Sequence, residues 1–120
     1  MYFEDREIKA YGDFIRASDL VVADVYFRVS YLDEDMLIPE MVPLVFIGRN
    51  LDPEQPGLYF QDAGSYLAGE RYEPANDRIT GPRGGFGGWL ETMPEDEFSN
   101  VFEFERGLDS LLACSLRRRN

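Results

Sequence analysis

Histidine is missing from the chain altogether, and only one of its 120 residues, Cys114, is a cysteine. Without imidazole there is no Ser-His or Cys-His couple, no histidine-bearing zinc site and no HExxH helix, and one thiol is too few for a thiolate cluster. Most familiar hydrolase and metalloenzyme designs are thereby excluded, and no cofactor is implied. A lone cysteine cannot close an internal disulfide, and the opening Met-Tyr-Phe-Glu-Asp lacks the basic segment and apolar run of a secretory leader. The expected compartment is the cytoplasm.

Long apolar runs are equally scarce. The best candidate, Leu44-Val45-Phe46-Ile47, stops at Gly48 and Arg49, far short of the roughly 18–20 residues that span a bilayer. Basic residues are the minority charge, twelve against twenty-three acidic ones for a formal −11, and three of the twelve are Arg117, Arg118 and Arg119. With those three set aside the rest of the chain has nine bases against twenty-three acids, a charge of −14. Such a field repels phosphate backbones and anionic lipid heads, so neither nucleic acid nor membrane is an expected partner, whereas a basic protein surface or a cation is attracted.

What the chain does have is aromatic and apolar surface: nine Phe, seven Tyr and one Trp, with 44% hydrophobic residues overall. A disordered chain is depleted in these types. At 120 residues a domain buries about two-thirds of the surface its unfolded form exposes, so residues 1–120 read as a single domain with one core.

The pattern along the chain is mostly that of a sheet. Residues 25–32 alternate, with Val25, Phe27, Val29 and Tyr31 on one side and Tyr26, Arg28, Ser30 and Leu32 on the other, as in a strand with one buried face. Leu44-Val45-Phe46-Ile47 is apolar throughout, which suits a central strand, and Pro39 and Pro43 place its start near Leu44 because proline donates no ladder hydrogen bond. Leu58-Tyr59-Phe60-Gln61 follows a loop with two prolines and pairs with that strand. The long stretch that follows is either functional or mobile, or else hides a short strand such as 71–73 or 78–80. Residues 98–106 read as a further strand with Phe98, Phe102 and Phe104 inward.

Helices take a smaller share. Ile8, Tyr11, Phe14 and Ile15 suggest one within residues 1–20, weakened by Gly12. Asp62 is placed to cap a short helix over 63–68 that Gly69 ends. After Gly107, Leu108, Leu111, Leu112 and Leu116 recur at helical spacing, with Asp109 in the first turn and Arg117 to Arg119 in the last, which suits the helix dipole. Cys114 lies beside that leucine row and reads as a structural thiol. The expected architecture is α+β: a mainly antiparallel sheet of four to five strands with the C-terminal helix packed on one face by its leucines. A small, partly open β-barrel is the alternative.

The glycine-rich stretch at 81–88 lacks the Lys-Ser/Thr ending of a phosphate loop and reads as a mobile connection. Its Arg83 and Phe86, with the following Trp89, are candidate contact residues. Two acidic turns, Asp33-Glu34-Asp35 and Glu95-Asp96-Glu97, are candidates for the same role. Tyr26, Tyr59 and Trp89 are further aromatics suited to an exposed interface face, where Tyr and Trp are enriched. No constellation specifies a chemistry. The composition therefore points to a small acidic soluble interaction module, such as a neutralising or inhibitory partner of a basic protein. The alternative is a carboxylate-dependent enzyme or divalent-cation-binding domain built on the acidic turns, although the Asp-x-Asp-x-Asp-Gly order of an EF-hand is absent.

Overall fold

The apolar and alternating runs become strands in the computed structural model, which describes residues 15–81 and 87–118. In chain order the elements are β1 (Val25–Tyr31), β2 (Pro39–Arg49), β3 (Leu58–Asp62), α1 (Ala63–Leu67), β4 (Arg71–Glu73), β5 (Arg78–Thr80), β6 (Leu90–Met93), β7 (Val101–Phe102) and α2 (Phe104–Arg118). Five strands form one sheet in the order β6-β3-β2-β1-β7, every pair antiparallel, and β4 and β5 form a separate hairpin. The class is α+β as expected. β6 and β7 remain unjoined edges, so the sheet does not close into a barrel. The apolar strand at Leu44 is indeed the middle one.

Both faces of the sheet are covered. The chain leaves β6 at one edge and reaches β7 at the other, and this connection crosses the face that carries Tyr26, Leu44, Phe46 and Phe60. Phe98 on the connection stacks on Phe60 with ring centroids 6.2 Å apart. Leu20, Leu58 and Val101 complete this core, with Ile15 and Ala17 against it. Burying Phe46 and Phe60 completely contributes about 1.5–3 kcal/mol each relative to exposure. The opposite face carries Phe27, Met41 and Phe102 and receives α2.

Two-sided cover explains why β1 departs from simple alternation. Tyr26 and Val29 are buried, Val25 is exposed, and Arg28 is half-buried in an ion pair with Glu91 of β6. Tyr26 and Tyr59, expected on an exposed face, are both buried.

β2 begins at Pro39 rather than near Leu44. Leu32 N–H donates to Ile38 at 2.9 Å and Phe46 N–H to Asp24 at 3.1 Å, so even-numbered β2 residues exchange hydrogen bonds with β1 and odd-numbered ones point away. Pro39 and Pro43 are odd, and on their outward side β3 pairs with β2 only from Leu44 onward. No ladder bond is lost at either proline.

The C-terminal third also differs from its sequence pattern. Of the strand expected over 98–106 only Val101–Phe102 forms, while Glu95–Glu97 is a 3₁₀ turn and α2 starts at Phe104. Gly107 therefore lies inside the helix instead of ahead of it. A Cβ at Gly107 would stand 2.8 Å from the Met41 Cε, so glycine lets α2 approach β2 closely. The side chains turned to the sheet are small, with Ser110, Ala113 and Cys114 buried, whereas Leu112 and Leu116 are each 49% exposed. The leucine row is thus not the packing face. Asp109 is buried in the second turn, 3.4 Å from Arg106.

The capped helix after Asp62 is as expected. The Asp62 carboxylate accepts from Ser65 N–H at 2.9 Å and caps α1, with Gly69 just beyond the helix end at φ +92°. Of the alternatives for the stretch after α1, the hidden strand is the one found, and both places, 71–73 and 78–80, are strands, β4 and β5. Of the helix expected over 1–20, residues 1–14 lie outside the described residues, and the rest holds only a 3₁₀ turn at Ala17–Asp19. No helix among the described residues is long and apolar enough to cross a membrane.

Candidate functional site

The β1–β2 hairpin is longer than its neighbours. β7 pairs only with Phe27 and Arg28 of β1, and β3 pairs with β2 only from Leu44 onward. Among the described residues, 30–41 consequently have no flanking strand on either side, Val29 N–H being the last to donate across to Asn100, at 2.9 Å.

The tip is held by Asp33. Its carboxylate accepts from Ile38 N–H at 2.7 Å and from Leu37 N–H at 3.0 Å, while Met36 N–H donates to its carbonyl at 3.3 Å. Met36 sits in the left-handed region at φ +59° to make the turn. Desolvation pushes the Asp33 carboxyl up, but the hydrogen bonds from Ile38, Leu37 and its neighbours outweigh this and hold it below the ordinary 3.8. Asp33 is therefore an ionised brace of the turn, and Glu34 and Asp35 are left as its exposed charges.

Behind the tip, Cys114 of α2 places its Sγ 3.3 Å from the Met36 carbonyl. The thiol is buried and serves as a tie between helix and turn. α2 occupies the face of odd-numbered residues, as the contacts to Phe27 and Met41 show. The other face of the tip carries the cross-strand pair Leu32 and Ile38, 73% and 51% exposed, next to exposed Glu40. Two bare aliphatic side chains, with exposed Glu34 and Asp35 in the adjoining turn and Glu40 next along β2, form the surface.

The remaining candidate residues lie elsewhere. Glu95, Asp96 and Glu97 are exposed in the 3₁₀ turn after β6. Met93 aligns with Leu58 and Leu58 with Arg49, so this turn follows the end of the sheet opposite the tip at Pro39. The two acidic turns are not brought together. Among the described residues no group of three or more Asp, Glu or Cys is placed to hold a metal ion. Trp89 is 41% exposed beside β6, with the Arg28 guanidinium 5.8 Å from its ring centroid and its N–H donated to Asp62 at 2.8 Å. Arg83 and Phe86 lie outside the described residues.

Leu32, Ile38 and Glu40 were not among the residues singled out by sequence. Their signal was present, since apolar residues flank an acidic turn, but the prolines at 39 and 43 moved the expected start of the second strand to Leu44 and concealed the projecting hairpin. Compared with protein-family models, with curated proteins and with solved structures, the chain finds no match in any of the three.

Proposed function

We propose that the protein is a small acidic interaction module of the cytoplasm that docks the open face of its β1–β2 hairpin tip onto a basic partner protein, covering and neutralising that partner's site. The observation that carries this reading is the exposed Leu32–Ile38 pair at the projecting end of the sheet, with exposed Glu34, Asp35 and Glu40 close to it in the chain. Aliphatic contact supplies affinity once water is excluded, and the surrounding carboxylates, on a chain of formal charge −11, steer a cationic surface to it. The brace at Asp33 and the tie at Cys114 hold the tip in one shape before contact, which lowers the ordering cost of association. The carboxylate-enzyme and cation-binding alternative draws no comparable support, because the two acidic turns follow opposite ends of the sheet.

The test is capture from a native lysate at low salt with chemical crosslinking, run in parallel with the wild type and with a tip variant carrying Leu32→Ser, Glu34→Lys and Ile38→Ser. A basic protein retained by the wild type, released by salt and lost by the variant is the expected outcome. Failure to capture any basic protein, or equal capture by the variant, sinks the reading.

A further inference from the structure

A helix that packs on a sheet ordinarily turns its large apolar side chains inward. In α2 the arrangement is reversed. Gly107, Ser110, Ala113 and Cys114 are buried on the sheet side, while Phe104, Leu112 and Leu116 are exposed and Leu108 and Leu111 are half-buried between them. Phe104 leans on Phe27, with ring centroids 5.2 Å apart, and keeps its other side open. Steps of four residues from Phe104 through Leu108 and Leu112 to Leu116 follow one side of the helix, so these groups form a continuous apolar stripe and not scattered single residues.

Charge along α2 is divided between its ends. Glu103 precedes the helix and is exposed, and Glu105 stands in the first turn. Arg117 and Arg118 close the helix, with Arg119 next in the chain, the densest basic run in a sequence of formal charge −11. A foreign basic surface laid along the stripe is repelled at the arginine end. A second α2 laid antiparallel is not, because each basic end then comes beside an acidic start. The stripe matches itself in the same direction. With Phe104 of one copy level with Leu116 of the other, Leu108 is level with Leu112 and Glu103 with Arg117. The apolar register and the charge register therefore coincide.

We propose that two copies of this chain associate through α2, packed antiparallel about a two-fold axis by the stripe of Phe104, Leu108, Leu112 and Leu116. The helix has 15 residues and at about 1.5 Å per residue is about 22 Å long. A single pair of such helices buries less than about 1,200 Å² in total, the low end for specific complexes, so the dimer is reversible and forms with rising concentration. Leu32 and Ile38 lie on the other side of the hairpin from α2, so the dimer leaves the docking face open and neither reading depends on the other.

Sedimentation velocity of the full-length chain over a rising concentration series should show a monomer–dimer equilibrium. Two charge-reversed variants, one with Glu103→Lys and Glu105→Lys and the other with Arg117→Glu and Arg118→Glu, set like charges together at both ends of the pair. Each alone should self-associate about tenfold or more weakly. Mixed in equal amounts, they restore opposite charges at both ends and should form a mixed dimer. Both reversals oppose the helix dipole, so melting curves check that each variant folds. The companion variant Leu112→Ser alters only the exposed stripe, and it should melt like the wild type and lose the dimer. A wild type that stays monomeric at every concentration overturns the proposal, as do a dimer that survives Leu112→Ser and a mixture that associates no better than its components. A monomeric wild type whose melting temperature falls in Leu112→Ser also overturns it, by assigning the stripe to residues 1–14 of the same chain.

Discussion

At the scale of single residues, Asp62 combines the most roles. It ends β3, caps α1 through Ser65, and accepts from Trp89 N–H at 2.8 Å, which ties the start of β6 to the same carboxylate. Asp62→Ala should destabilise the protein by about 1–2 kcal/mol, the usual cost of losing a cap, measured as a lower urea midpoint at unchanged slope. Desolvation pushes this carboxyl up, but the hydrogen bonds from Ser65 and Trp89 outweigh it and hold the group below 3.8. The folded state then binds fewer protons than the unfolded one. The corresponding stability is present above pH 3.8 and is lost as pH falls below that value toward the folded pKa. Asp62→Asn keeps a capping oxygen without the titration, so its acid limb of stability against pH should be flatter than that of the wild type. Asp62 was legible in the sequence because a cap acts within three residues. The burial of its neighbour Gln61 was not, since its partners at Ser65 and Glu70 come within reach only once α1 has folded back on β3.

At the scale of elements, β2 and α2 show opposite uses of residues that usually interrupt structure. Pro43 is tolerated because its nitrogen points to the side that β3 does not reach, whereas Val42 pairs in register with Arg28 at a hydrogen-bonded position. Pro43→Ala should leave the melting temperature nearly unchanged. Val42→Pro should cost about 1–3 kcal/mol by orphaning a ladder acceptor, and thermal unfolding followed by circular dichroism compares the two. In α2, Gly107 and the small buried side chains of Ser110, Ala113 and Cys114 bring the helix close to β2. Burial of Cys114 predicts that a thiol reagent modifies the native protein only at the rate at which the helix opens, with fast modification in denaturant. Fast labelling under native conditions would contradict this packing. Leucine spacing located this helix correctly but named the wrong face, because periodicity marks an apolar stripe and carries no information about how closely two backbones approach.

At the scale of the whole molecule, an extended principal axis of 49 Å against 30 Å for the other two reflects a shape longer in one direction. The projecting hairpin presents exposed Leu32 and Ile38 at one end of β2. Leu32→Ser with Ile38→Ser removes no buried contact and should shift stability by no more than about 0.5 kcal/mol, checked by urea unfolding. The same pair of changes should weaken capture of the proposed basic partner, and that capture should fall with added salt as the acidic surface is screened.

The sequence by itself determined the α+β class, the central position of the Leu44 strand, the capped helix after Asp62 and the net negative charge of the chain. Each follows from local periodicity, local hydrogen bonding or a count of charges. Only the tertiary structure decided that both sheet faces are covered, that the hairpin overreaches its neighbours, and that the two acidic turns follow opposite ends of the sheet. Those features depend on which strands pair and in what register. Residues far apart in the chain set that register, so the pattern along any one segment does not contain it.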